Sequence, residues 1–275
     1  MDELYVLARQ VLLDALEALG AHRDAIVLVG AQAVYLRVGE ADLAVAPYTT
    51  DGDLVVDPAL LGPVPPLERA LLGAGFAPTA TDSVGVWVTK RPTSSGRDAA
   101  VAIDLLVPSA VSPGKGRRSA RLPGHDSRAA RIVRGLEGAL VDADVLGVRS
   151  FEPADGRVVE IRVAGSAALL VAKVHKIADR GGTDRANDKD ALDVLRLLRG
   201  TSADDLARRY RSLLGDDRSS DTARHGLELL ETQFGRKGRP GVEMTIRSVG
   251  ALADPNEITA SCEALTADLL AALRR

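Results

Sequence analysis

Three aspartates are the residues of this sequence best suited to chemistry. Asp51 and Asp53 stand two residues apart in TTDGDLVVD, where an apolar run begins, and Asp104 interrupts the apolar run VAIDLLV. Residues two apart on a strand point to the same face of a sheet. Carboxylate oxygens suit Mg²⁺, which keeps its other positions for water and phosphate. The pattern therefore favours a magnesium site for phosphoryl or nucleotidyl transfer, in which the ions activate an attacking hydroxyl and neutralise a leaving pyrophosphate.

The same aspartates also have ordinary structural interpretations. Asp51-Gly52 between apolar residues is a strong signal for a tight hairpin turn, because glycine accepts positive φ. An unpaired carboxylate inside a strand costs on the order of a few kcal/mol, so Asp104 needs a partner. That partner is more often an arginine or a backbone amide than a metal ion.

Gly30 is a candidate anion-binding position. It follows the apolar run AIVLV and precedes AQAVYLRVG, an order that predicts a strand, a tight turn and a helix. Glycine lets the backbone approach a phosphate closely, and the amides of a helix beginning near Ala31 would face it. Many such glycines serve conformation alone. Neither GxxxxGK[ST] nor GxGxxG occurs in the sequence, so P-loop and dinucleotide-binding sites lack their motif.

A sheet is needed to position these residues, and the apolar pattern predicts one. Short runs rich in β-branched residues predict strands at 25–30, 53–57, 85–90, 101–107 and 157–163. Helical spacing predicts helices at 4–19, from 31, at 67–75, and then at 166–180, 188–200, 203–215, 221–235 and 257–275. The prediction is an α+β protein with a mixed-sheet domain at residues 1–165 and a helical domain at residues 166–275.

Composition excludes several classes of protein. The 275 residues carry 35 basic and 38 acidic side chains, so the net charge of −3 gives no general attraction to nucleic acid or to an anionic membrane. One cysteine, Cys262, and four scattered histidines exclude disulfides, zinc fingers and the HExxH zinc helix. Because no apolar run is long enough to span a membrane and the N-terminus lacks a signal-peptide pattern, we expect a cytoplasmic protein without membrane contacts.

One local stretch is strongly basic. Between residues 115 and 134 it contains a single acid, Asp126. Such a stretch either binds RNA phosphates through counterion release or forms a solvated surface. Its cations are Lys115, Arg117, Arg118, Arg121, Arg128, Arg131 and Arg134.

Several of these segments, taken in order, resemble a known superfamily. VLVGAQAVYLRVG, TTDGDLVVD and AIDLLVP are similar to the polymerase-β-type nucleotidyltransferases. LLVAKVHKIADR, followed by DKDALDVLRLL, resembles motifs of the AbiEii-type toxins of bacterial toxin–antitoxin systems, which include the mycobacterial MenT nucleotidyltransferases. The matching segments lie between residues 28 and 198, and they imply the polymerase-β-like form of the α+β fold.

The resemblance implies roles for individual residues. Thr49, Asp51 and Asp53 match T/S-x-D-x-D, whose carboxylates bind Mg²⁺, and Lys173 matches a lysine that contacts nucleotide phosphates. Lys189, Asp190 and Asp193 match K-D-x-x-D. The candidate catalytic residues are Asp51, Asp53, Asp104, Lys173 and Asp190, and the candidate metal ligands are the three aspartates Asp51, Asp53 and Asp104. The candidate nucleotide-binding residues are Gly30, Ala31, Thr49, Lys173 and Lys176.

The helical residues among these candidates have a simpler interpretation as well. Lys173 and Lys176 can lie along a helix flank with their ammonium groups in water. Asp190 and Asp193 can form a solvated face, or pair at i,i+3 with Lys189 and Arg196.

The function implied by the resemblance is Mg²⁺-dependent transfer of a nucleoside monophosphate from an NTP to an acceptor hydroxyl. The resemblance to the toxins implies the 3′ end of tRNA as acceptor, the basic stretch as its platform and an antitoxin protein as a partner. Two alternatives remain, namely transfer to a small molecule or protein side chain, and a non-catalytic nucleotide-binding module. Ala31 and Pro47, which replace a usual glycine or serine and a frequent arginine, favour the module, whereas the three aspartates favour the enzyme.

Overall fold

The computed structural model describes residues 2–39, 41, 43, 45–79, 83–113, 118–181 and 188–275. Within these residues the chain divides into two compact units. The sheet unit comprises Met1–Ala33, Tyr48–Val133 and Ala143–Val163, and the helical unit comprises Val34–Pro47, Arg134–Asp142 and Ala164–Arg275. The division into domains at residues 165 and 166 stays a prediction.

The sheet unit is built on a mixed sheet. The described strands are β1 Ile26–Val29, β2 Asp51–Val56, β3 Ala77–Pro78, β4 Val86–Pro92, β5 Asp98–Pro108, β6 Arg131–Val133, β7 Ala143–Arg149 and β8 Val158–Ala164. The order of the strands is β3-β4-β5-β2-β1-β8-β7, with β6 paired to β5. The pairs β1–β8, β2–β5 and β5–β6 are parallel, whereas β1–β2, β3–β4 and β4–β5 are antiparallel.

The described α-helices are α1 Glu3–Ala18, α2 Gly30–Val38, α3 Leu67–Gly73, α4 Ser166–Arg180, α5 Asp188–Gly200, α6 Ala203–Gly215, α7 Ser220–Phe234, α8 Pro240–Val249 and α9 Pro255–Arg274. None of them is long and apolar enough to cross a membrane. A mixed sheet followed by a set of helices confirms the predicted α+β class.

Strands β2 and β5 pack against α1. Gly52 lies at this contact, because a Cβ there would be 2.8 Å from Ile103 Cδ1 and 3.3 Å from Leu12 Cδ1. Gly52 is therefore a packed residue inside β2. The hairpin-turn interpretation of Asp51-Gly52 is wrong, since both residues belong to a strand paired on both sides.

In the helical unit, α4 is the central helix. It packs against α5, α6 and α7, and α5 packs in turn against α8. Local signals set the helix starts: the Ser202 side chain accepts a hydrogen bond from the Asp205 amide at the start of α6, and Pro240 occupies the first turn of α8. This arrangement fixes the charged side chains of α4 against those of α5.

Candidate active site

The three predicted carboxylates share one face of the sheet. The parallel register of β2 and β5 sets Asp53 opposite Asp104 and Asp51 opposite Ala102. Register partners on adjacent strands point to the same face, with backbones about 4.8 Å apart, and Asp51 lies on that face because it is two residues from Asp53. The face is opposite to the one that carries Gly52. Asp51 is exposed, Asp53 is half-buried, and the Asp104 side chain is 15% exposed.

Gly30 lies directly beside this acidic face. It begins α2 with φ +70°, a conformation that favours glycine. Its chain neighbour Val29 is the register partner of Asp53 on β1, and a Cβ at Gly30 would lie 2.0 Å from Asp53 Oδ2. A side chain at position 30 is therefore disfavoured by the backbone conformation and by its contact with the Asp53 carboxylate. The group that approaches Gly30 closely is the Asp53 carboxylate. The phosphate contacts of Gly30 and Ala31 stay predictions.

Thr49 supports the first aspartate of the pair. Thr49 is buried, and its Oγ1 donates a hydrogen bond of 2.5 Å to Asp51 Oδ1. The hydroxyl is thereby occupied in orienting a carboxylate. Its contact with nucleotide stays a prediction.

Asp104 has the partner that its position requires. In the register of β5 and β6, Arg131 is the partner of Leu106, so Arg131 lies on the same face as Asp104. The Arg131 Nη2 donates to Asp104 Oδ2 in an ion pair, while the buried Arg131 Nε has no hydrogen-bond partner among the described residues. In the sequence, Arg131 is one of seven cations of the basic stretch. The carboxylate inside a strand indicated a cation, but nothing in the sequence chose among the arginines.

The donor chemistry of the acidic face fits a magnesium ion that arrives with phosphate. Among the described residues, no group of three or more His, Cys, Asp or Glu is placed to hold a metal ion by itself. Mg²⁺ is commonly bound through only one or two carboxylates, with waters and substrate phosphates as the remaining ligands. Asp51 and Asp53 supply that number. Asp104 would join them only by giving up or sharing its contact with Arg131.

The predicted lysine and its acidic neighbours form a buried cluster in the helical unit. The Lys173 Nζ lies 2.8 Å from Asp190 Oδ1 and 2.7 Å from Asp193 Oδ2, and the lysine side chain is 5% exposed. Arg196 reaches Asp193 Oδ1 at 3.2 Å and also donates to the Val45 carbonyl. This cluster satisfies charges that could not be buried singly. The i,i+3 pairing of Asp193 with Arg196 is one of the alternatives that the sequence left open.

Titration behaviour follows from these contacts. Burial lowers the pKa of Lys173, but Asp193 and Asp190 outweigh burial and raise it above its ordinary value. Burial likewise raises the pKa of Asp190, but Lys173 and Lys176 outweigh it and lower that pKa to about 2. Lys173 therefore stays charged at any physiological pH. Its contact with nucleotide phosphate stays a prediction.

Lys176 occupies a more open position on the same helix. Its Nζ lies 3.0 Å from Asp190 Oδ1, and its side chain is 36% exposed. A cavity of about 140 Å³ beside it has mainly apolar walls, including Ile177, Pro240 and Met244. Binding pockets for small molecules usually measure about 300–1,000 Å³. The cavity is thus too small and too apolar for a nucleoside triphosphate.

The basic stretch is only partly described. Lys115 and Arg117 lie outside the described residues. Arg118, Arg121 and Arg134 are exposed, whereas Arg128 is half-buried and Arg131 pairs with Asp104. RNA binding by this stretch stays a prediction.

Comparison with known proteins gives distant structural similarities. No protein-family model matches the chain, and no curated protein matches it in sequence. An antigenic nucleotidyltransferase-like protein from Paracoccidioides brasiliensis is 15% identical, over 90% of this chain and 92% of its own, with a TM-score of 0.47. The antibiotic-resistance factor ANT(2'')-Ia is 14% identical, over 98% of this chain and 96% of its own, with a TM-score of 0.30. Similarities at this level do not assign an activity to the chain.

Proposed function

We propose that this protein is a Mg²⁺-dependent nucleotidyltransferase that moves a nucleoside monophosphate from an NTP to an acceptor hydroxyl. The supporting observation is the register of β2 and β5, which sets Asp53 opposite Asp104 with Asp51 on the same face. Carboxylates gathered in this way repel one another unless a cation lies among them. Because Gly30 has no side chain, the Asp53 carboxylate fits against the start of α2.

Each residue of the acidic face has a part in the proposed reaction. Mg²⁺ would supply Lewis acidity and bind the triphosphate. Asp51 and Asp53 hold the cation, the Thr49 hydroxyl orients Asp51, and the first amides of α2 at Ala31 bind phosphate oxygens. Asp104 completes the cation site when Arg131 releases it. The pair Asp104–Arg131 also favours the second candidate, a nucleotide-binding module in which that release never occurs.

The charged cluster on α4 and α5 has a proposed part as well. Lys176 carries the phosphate contact, because a third of its side chain is exposed. Lys173 holds Asp190 in place through a buried ion pair and keeps the charge balance of the cluster. Lys173 and Asp190 thus support nucleotide binding through Lys176.

For the acceptor, we propose the 3′ end of tRNA, with the protein acting in the cytoplasm as the toxin of a toxin–antitoxin pair. The exposed arginines Arg118 and Arg121 of the sheet unit support an RNA platform, because each can neutralise a backbone phosphate. Because the whole chain has a net charge of −3, the attraction to RNA phosphates is confined to these arginines.

The test is nucleotide transfer by purified protein. The wild type is incubated with each α-labelled NTP, Mg²⁺ and total tRNA, beside Asp53→Asn and the matched control Asp24→Asn, which makes the same change at an exposed position of the sheet unit. We expect label on tRNA with the wild type and Asp24→Asn. With Asp53→Asn we expect a loss of at least about 100-fold, because a ligand charge is removed at constant volume.

Other outcomes would redirect the proposal. Label on an added small molecule or protein instead of tRNA would keep nucleotidyl transfer and reject the RNA acceptor. Binding of NTP without transfer to any acceptor would favour the binding module. Growth arrest on expression that persists in Asp53→Asn would reject nucleotidyl transfer as the cause of toxicity.

A further inference from the structure

A buried arginine on α1 is linked by hydrogen bonds to the strand that carries Asp51 and Asp53. Arg9 on α1 is 2% exposed. Its Nε donates to Gln32 Oε1 at 2.7 Å, its Nη1 donates to the Arg149 carbonyl at 3.0 Å, and its guanidinium lies 4.2 Å from the centre of the Phe151 ring. Burial lowers the pKa of Arg9 and the neighbouring Tyr5 raises it, yet an arginine remains charged in proteins. These described partners are neutral, so the charge is retained at a cost in stability.

Gln32 connects this arginine to the backbone of Asp51. Gln32 is 1% exposed, and its Nε2 donates to the Asp51 carbonyl at 3.2 Å. Because arginine can only donate hydrogen bonds, Arg9 fixes the orientation of the Gln32 amide, with the oxygen toward the guanidinium and the nitrogen toward Asp51. The result is a one-way donor chain from Arg9 through Gln32 to the first residue of β2.

The same turn of α2 contacts both aspartates of the pair. Gln32 holds the peptide of Asp51, and Gly30 lies against the carboxylate of Asp53. The Asp51 carboxylate is held separately by Thr49. A shift of the Asp51 peptide would therefore change the separation of the two carboxylates.

We propose that Arg9 and Gln32 are positioning residues that set the spacing of Asp51 and Asp53 for a divalent cation. This inference rests on the proposed function for its chemistry, but its first readout is metal binding rather than transfer. Residues that orient metal ligands typically change metal affinity by about 10–100-fold when they are replaced.

Gln32→Glu separates positioning from packing. A glutamate at position 32 has nearly the same shape and still accepts from Arg9, but its carboxylate cannot donate to the Asp51 carbonyl. It also adds a negative charge near the site, which by itself would tighten cation binding. A weaker affinity can then arise only from lost positioning. The double variant Arg9→Met/Gln32→Leu is a second test. Removing the arginine charge would by itself strengthen cation binding, so a weaker affinity in this variant would again indicate lost positioning.

The control is Tyr210→Phe in the helical unit. Tyr210 is buried, and its hydroxyl donates to the Ala223 carbonyl at 3.0 Å, so the substitution also removes a hydrogen bond from a buried side chain to a backbone carbonyl, at another place. The measurement is Mn²⁺ binding by electron paramagnetic resonance, with and without ATP, together with the thermal midpoint and with kcat and KM for transfer.

We expect Mn²⁺ to bind Gln32→Glu about tenfold more weakly than the wild type and kcat to fall more than KM rises, while Tyr210→Phe keeps the wild-type affinity. Equal affinity in Gln32→Glu and the wild type would overturn the inference, even if the wild type transfers nucleotide. Weaker affinity in Gln32→Glu without transfer by the wild type would support the inference and reject the proposed enzyme. A wild type that binds no Mn²⁺ would reject both.

Discussion

Replacing Gly30 with alanine tests the acidic face with an added methyl group. The new Cβ would lie 2.0 Å from Asp53 Oδ2 and 2.9 Å from its Cγ. An ordinary contact is about 3.5 Å, so the carboxylate oxygen must move by about 1.5 Å. Because a displacement of about 1 Å in a catalytic group can cost about 100-fold in rate, we expect Gly30→Ala to lose at least that factor in nucleotide transfer.

The backbone cost of this substitution must be separated from the displacement. Gly30 has φ +70°, and an alanine there costs about 1–2 kcal/mol of unfolding free energy. Gly96 has φ +76°, and a Cβ there would meet nothing within 4 Å. Gly96→Ala therefore carries the conformational cost without displacing an aspartate, and we expect it to retain activity.

The assays are labelled-NTP transfer and urea unfolding on the three proteins. Both alanine variants should lose the conformational cost from the free energy of unfolding, Gly30→Ala at least as much as Gly96→Ala, and only Gly30→Ala should lose transfer. If Gly30→Ala transferred nucleotide as fast as Gly96→Ala, the position of Asp53 would be irrelevant to the reaction, and the acidic face would no longer support nucleotidyl transfer.

Two further predictions concern titration in the helical unit. The pKa of Asp190 is lowered from 3.8 to about 2, so its charge adds about 2 kcal/mol to the free energy of unfolding above pH about 4. This contribution is lost as the pH falls toward 2. In Asp190→Asn the free energy of unfolding should therefore depend less on pH between about 4 and 2, and an unchanged slope would refute the assignment. Burial raises the pKa of the Cys262 thiol to about 11. Its reaction with a thiol reagent at pH 8 should therefore be slow in the native protein and fast in urea. Equal rates in the two conditions would contradict the burial of Cys262.

The strands that carry the acidic face were predictable because they are buried. β1, β2 and β5 consist of apolar, β-branched runs, and each was predicted near its observed position. β7 was missed, since it lies at the end of the sheet and keeps residues such as Val145 exposed. Its sequence therefore lacks the alternation that marks a half-buried strand. α8 was also missed, although Pro240 in its first turn is a usual helix start.

Contacts between segments distant in the chain could not be predicted from the sequence. The pairing of Asp104 with Arg131 depends on the register of β6, a strand of three residues, and no periodic pattern reveals such a short strand. The burial of Lys173 depends on how α4 meets α5, and its apolar spacing alone also fits a lysine at the helix flank. Arg9 and Gln32 gave no motif, since a buried polar pair is recognised only when its partners are known.

The most direct test of the proposed metal–nucleotide site is a crystal structure with Mn²⁺ and a non-hydrolysable ATP analogue. We expect an anomalous peak within about 2.1–2.3 Å of carboxylate oxygens of Asp51 and Asp53, with phosphate oxygens completing the coordination. We also expect Asp104 to be released from Arg131. A metal–nucleotide complex bound elsewhere, with Asp104 still paired to Arg131 and no ion at Asp53, would contradict the central claim.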